Sequence, residues 1–129
     1  MNRIEAAKDL LKMIETVDHN DSKSLLDLNS RGYCIFSGLG YEKVVRKGNI
    51  KYCLTEDYSR SRDALKKARP EGWMINVSGG WIGSDCEEIY DASAYRGGAM
   101  TLESPELPTE ELAEFHAIIQ AWIYIWDNE

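Results

Sequence analysis

The sequence predicts an α+β fold, a small antiparallel sheet of three or more strands packed against helices. Apolar residues recur every three or four positions towards both ends of the chain, the period of a helix with one buried face. Between them, Trp73, Ile75 and Val77 alternate with Met74, Asn76 and Ser78, the period of a half-buried strand. At 129 residues, 43% hydrophobic and 29% charged, the chain suits one core and is excluded from the disordered class. Residues 1–129 are expected to form a single domain: a helical part over 1–30, a peripheral loop or hairpin over 33–57, and an α/β core over 58–129.

The first helix is expected over about residues 2–17. Asn2 is a good cap, and Glu5 stands three positions on, the spacing of a capping box. Ile4, Ala7, Leu11, Ile14 and Val17 form the apolar stripe, while Lys8, Asp9, Lys12 and Glu15 face water. Asp18-His19-Asn20-Asp21 ends this helix and starts a short second one over 22–29, with Leu25, Leu26 and Leu28 inward. Gly32 reads as its left-handed stop. Residues 33–36 are apolar but too few for a helix, and Val44-Val45 and residues 50–54 flank Lys47-Gly48-Asn49 as arms of a hairpin. A third helix over 59–68, capped by Ser59 or Ser61, ends at Pro70-Glu71-Gly72.

Strands are expected over 73–78, 87–92 and 97–102, close enough in sequence to make a meander. Gly79-Gly80 ends or bulges the first, and Trp81-Ile82 joins Ile89-Tyr90 in the second. Pro105 and Pro108 bracket a linker to the last helix, 109–126. Thr109 caps it, and Glu110 and Glu111 occupy the first turn, where the helix dipole favours acids. Leu112, Phe115, Ile119, Trp122, Ile123 and Trp126 line one side, and Ala113, Ala117 and Ala121 form a strip that lets the helix lie close to the sheet. Trp73, Ile75, Val77, Leu112, Phe115, Ile119 and Trp122 are the expected structural core. Tyr124, Ile125 and Trp126 make the helix end apolar nearly all round, which points to a homodimer, because one small sheet covers one side only.

Three cysteines, Cys34, Cys53 and Cys86, odd in number and far apart, argue against a disulfide framework and for a reducing compartment. There is no Cys-x-x-Cys for a zinc ribbon, and His19 and His116 are expected at the surface. No apolar run reaches the roughly 18–20 residues of a membrane span. The first residues lack an apolar signal core, so a cytoplasmic location is expected. Charge is uneven. Residues 1–69 hold 14 Lys/Arg against 10 Asp/Glu, whereas residues 70–129 hold 1 against 12, with all four tryptophans. So acidic a half repels phosphate and argues against direct nucleic-acid binding. Lys43, Arg46, Lys47, Lys51, Arg60, Arg62, Lys66, Lys67 and Arg69 are expected mainly to balance it.

From Tyr58-Ser59-x-Ser61-x-Asp63-Ala64-Leu65 through Pro70-Glu71-Gly72-Trp73, the chain resembles a group of small phage and prophage proteins described as the phage ABA sandwich domain. In that group a tyrosine and a capping serine or threonine open a helix, Pro-Glu-Gly-Trp leads into the first strand, and a short final helix packs on the sheet. The element order from residue 57 onward is similar here, although the acidic linker over 103–108 and the aromatic last helix depart from the pattern. The resemblance implies a phage or prophage origin, a bacterial cytoplasm, and no known activity.

No catalytic constellation emerges. Neither His19 nor His116 accompanies a Gly-x-Ser-x-Gly elbow, Gly38-x-Gly40 lacks the third glycine of a dinucleotide loop, and Cys86 lies among carboxylates that raise a thiol's pKa. Asp85, Glu87, Glu88 and Asp91 lack the ligand spacing of a calcium loop, so no metal and no cofactor is expected. Three functions follow, in order. The first is a non-enzymatic phage or prophage accessory protein that binds a host or phage protein, its aromatics anchoring and its acids steering the partner. The second is an acidic nucleic-acid mimic that inhibits a bacterial defence or nucleic-acid-processing enzyme. Its contacts would come from Asp85, Glu87, Glu88, Asp91, Glu103, Glu106, Glu110, Glu111 and Glu114. The third is a small-ligand or nucleotide-binding protein with a pocket framed by Trp73, Trp81, Arg60 and Arg62.

Overall fold

The computed structural model describes residues 2–37, 57–82, 87–97 and 100–128. In chain order these form α1 (Arg3–Thr16), α2 (Ser22–Ser37), α3 (Arg62–Ala68), β1 (Met74–Ile82), β2 (Glu88–Arg96), β3 (Met100–Glu103) and α4 (Glu110–Asp127). The class is α+β, with one antiparallel sheet of order β1-β2-β3. No helix among the described residues is long and apolar enough to cross a membrane. The hairpin expected within 38–56, with Cys53, and the Asp85-Cys86 pair lie outside the described residues.

The N-terminal capping box forms: Glu5 N–H donates to Asn2 Oδ1 at 2.8 Å, and the Glu5 carboxylate accepts from Asn2 N–H. The buried stripe of α1 is Ala7, Leu10 and Ile14, with Leu11 and Val17 at its margin. At α3 the cap is Ser61, not Ser59, and accepts from Ala64 N–H.

The second helix corrects the expected boundary. It runs on through Gly32 and the apolar residues 33–36 instead of stopping near residue 29. Gly32 is there for clearance: a β-carbon on it would come within 2.7 Å of Phe115 Cζ and 3.1 Å of Tyr58 Cδ2. Beyond it, Cys34 and Ile35 are buried, and Phe36 meets Tyr58 edge-on at 5.1 Å between centroids. A tertiary contact thus outweighs the helix-breaking tendency of glycine.

The meander is present with longer first and second strands than expected. Trp81-Ile82 belong to β1, because the strand passes Gly79-Gly80 by a bulge and then pairs with Ile89 and Glu88. Ile75↔Ala94, Val77↔Ala92 and Gly79↔Tyr90 are opposed pairs, and the burial of Ala92 and Ala94 identifies this as the inner face. Gly79 leaves room for the Tyr90 ring, which an added β-carbon would overlap.

α4 is the centre of the molecule. It packs on all three strands and, elsewhere on its circumference, on α1 and α3. Every residue from 112 to 119 is buried, as the alanine strip and apolar face require. Leu112, Phe115, Ile119 and Trp73 are fully in the core, while Ile75, Val77 and Trp122 pack against it half-buried. The apolar helix end is partly covered within the chain: Tyr124 meets Trp73 at 5.7 Å, Trp122 stacks on Trp126 at 5.5 Å, and Arg3 lies 3.9 Å over the Trp126 ring. Part of this apolar end is thus used within the chain, and residues 122–126 stay half-buried.

Candidate functional site

The linker from β3 to α4 runs beside β2 and fixes the start of α4. Ser104 N–H donates to Ala92 O, Ala92 N–H donates to Ser104 Oγ, and Tyr90 and Leu107 exchange both backbone hydrogen bonds at 2.7 and 2.8 Å. Leu107 is buried in the core. Thr109 Oγ1 then accepts from Leu112 N–H at 3.2 Å, which sets Glu110 and Glu111 in the first turn.

This placement brings the first turn of α4 to the end of β2 where Tyr90 meets Glu88. Tyr90 O–H donates to Glu88 Oε2 at 2.7 Å. That hydrogen bond, with the negative charges of Glu88, Glu110 and Glu111 and some desolvation, raises the Tyr90 hydroxyl above its ordinary pKa of 10.0. Arg62 is the cation of the group, with Nη1 3.2 Å from Glu110 Oε2 and Nη2 3.7 Å from Glu114 Oε1.

The other sequence-named acids do not join them. Glu114 is a correction: it is only 2% exposed, held by Arg69 Nη2 at 3.2 Å, and does not reach a partner. Its second oxygen and Arg69 Nε lack hydrogen-bond partners. Asp91 and Glu103 lie on the sheet face turned away from α4, and Glu87 and Glu106 are exposed singly. Among the described residues no group of three or more His, Cys, Asp or Glu side chains is arranged to hold a metal ion.

His116 is a second correction. It is 4% exposed, with Nδ1 2.9 Å from Gln120 Nε2, which also donates to Glu103 O, and with Nε2 3.7 Å from Glu15 Oε1. Burial lowers its pKa, and the Glu15 carboxylate pulls partly against this. The imidazole is enclosed in the fold, not on the surface.

A cavity of about 180 Å³ adjoins the acidic end, lined by His19, Leu25, Ser59, Arg60, Thr109, Glu111 and Leu112. Its wall is built by Asn29, which donates to Asp57 Oδ1 and accepts from Ser59 N–H, both at 2.8 Å. Asp57 in turn holds Arg60 Nε at 3.1 Å. The volume is below the roughly 300 Å³ of ordinary ligand pockets. The nucleotide pocket framed by Trp73 and Arg60 is not assembled: Arg60 lies by Glu111 and Trp73 by Tyr124, thirteen residues or about 20 Å apart along α4. Of the basic residues, Arg62 and Arg69 do pair with the acidic half, through Glu110 and Glu114.

Sequence reasoning named Glu88, Glu110 and Glu111 but not Tyr90, the phenol that donates to Glu88. The alternation Glu88-Ile89-Tyr90, which puts the acid and the phenol on one strand face, was the available signal. No family model, curated protein or solved structure matches this chain.

Proposed function

We propose that the protein is a non-enzymatic phage or prophage accessory protein that binds another protein through its acidic end, Glu88, Tyr90, Glu110 and Glu111. The reading rests on one observation: Tyr90 donates to Glu88 at the end of β2 that the Leu107 linker ties to the first turn of α4, where Glu110 and Glu111 sit with Arg62 on Glu110. Such an end favours a partner with Lys or Arg around a small apolar or hydrogen-bonding centre that Tyr90 can engage. The phage or prophage origin and the bacterial cytoplasm are proposed on the Pro70-Glu71-Gly72-Trp73 pattern. Nucleic-acid mimicry is the weaker form of the same idea, because burial of Glu114 removes one charge from the row Glu110, Glu111, Glu114.

The test is capture from bacterial lysate by the full chain and by a Glu88→Lys/Glu111→Lys variant, at low and high salt. A partner retained by the native chain, released by salt and lost to the variant supports the reading. Capture unaffected by the charge reversal overturns it.

A further inference from the structure

Among the described residues the outer edge of β1 pairs with no strand, and it differs from the rest of the surface. Tyr90 and Ala92 turn their backbone N–H and C=O groups towards Leu107 and Ser104. By the alternation of an antiparallel ladder, Asp91, Ser93 and Tyr95 turn theirs towards β1, where they meet Ser78, Asn76 and Met74. The backbone groups of Ile75, Val77 and Gly79 therefore point outward, and β1 is an outer strand of the sheet. Outer strands are normally guarded by charge or proline. β1 has neither: residues 72–84 contain no charged side chain and no proline, in a chain of net charge −7. The two large apolar side chains left exposed among the described residues, Met74 at 55% and Ile82 at 71%, both lie on this strand.

We propose that β1 pairs antiparallel with β1 of a second copy, joining two sheets into one of six strands. Two features select a second copy. A two-fold antiparallel pairing is self-complementary, so the outward N–H and C=O groups near Val77 satisfy each other. Charge supplies the other. A like-charged copy is repelled by the acidic end, but pairing centred near Val77 sets the two Ile82 ends, each beside a Glu88, roughly 33 Å apart, beyond a Debye length of about 8 Å. The contact itself brings no charge against charge. The bulge at Gly79-Gly80 confines regular pairing to the Met74 side of the strand.

The experiment uses the full chain and a Ser78→Lys variant, whose altered side chain is exposed and sets two cations close together across the two-fold axis. Sedimentation over a concentration series, paired with amide hydrogen exchange, reads the outcome. The expected result is a mass that doubles with concentration, with exchange at Ile75 and Val77 slowing about tenfold or more. Both effects should be absent in Ser78→Lys, whose thermal unfolding stays that of the native monomer. A monomer at all concentrations overturns the proposal, as does a dimer whose Ile75 and Val77 amides exchange freely. So does protection of those amides in the monomer, which would mean that the chain covers its own edge. Neither readout depends on the acidic end, so failure here leaves the proposed binding function standing.

Discussion

The ring of Phe115 ends against Gly32, where an added β-carbon would lie 2.7 Å from Cζ. The two residues join α2 to the central helix. Helix propensity alone says that Gly32→Ala should stabilise a mid-helix position by about 0.5–1 kcal/mol. Overpacking of a filled core costs about 1–3 kcal/mol, and the ring is hemmed by Tyr58 at 5.4 Å and Phe36 at 6.4 Å. Gly32→Ala is therefore expected to lower stability in urea unfolding. In a Phe115→Leu background the same change should raise it. A stabilised single variant would show that the ring moves aside freely.

That contact also marks how far local sequence carries. Capping, the Trp73-Ile75-Val77 alternation and the acid-led last helix are properties of neighbouring residues, and these elements were legible. Gly32 was not, because its partner is distant in the chain. Glu114 and His116 were misplaced on the surface for a related reason. A helical wheel assigns one buried stripe, whereas α4 is enclosed by the sheet on one side and by α1 and α3 on others. At the site the acids could be named from composition. Their meeting at Tyr90 depends on the linker pairing with β2 through Leu107, for which no local pattern exists.

Glu114 is a buried carboxylate, its side chain 3% exposed, between Arg69 and the more distant Arg62. Arg69→Ala leaves it poorly matched. Breaking a buried pair costs about 3–5 kcal/mol, and the 29% exposure of Arg69 reduces this to about 2–3 kcal/mol. The double variant Arg69→Met/Glu114→Leu, which removes both charges, is expected to be more stable than Arg69→Ala. A double variant less stable than Arg69→Ala would mean that the pair itself, not its desolvation, governs this site.

His116 predicts an acid-side loss of stability. Its pKa is lowered from the usual 6.5 by burial, so the unfolded chain takes up a proton at higher pH than the folded one does. Its contribution is complete above about pH 6.5 and declines as pH falls from there through the lower folded value. Glu15, the ionisable group facing it from α1, limits the decline, and Gln120 and the Glu103 carbonyl are neutral. The slope of unfolding free energy between about pH 5 and 6.5 should be reduced in His116→Gln and increased in Glu15→Gln. A native slope unchanged in His116→Gln would place that proton uptake elsewhere.

Tyr90 reports the field at the proposed binding end. Its hydroxyl donates to Glu88 and faces the charges of Glu110 and Glu111, so it ionises above 10.0. Removing the acceptor in Glu88→Gln should move it down towards that value, with a smaller fall in Glu111→Gln, which deletes only a through-space charge. Carbon-13 labelling of tyrosine resolves its ring from the other six, with Tyr90→Phe identifying the signal. The sheet tolerates these changes, because Ala92 and Ala94, not Glu88, carry the packing on α4. Added salt should lower the native value as well, since part of the shift is Coulombic and screened. A Tyr90 that titrates at the same pH in Glu88→Gln as in the native chain would show that the carboxylates do not converge on it, and the proposed end would lose the feature that distinguishes it from scattered surface acids.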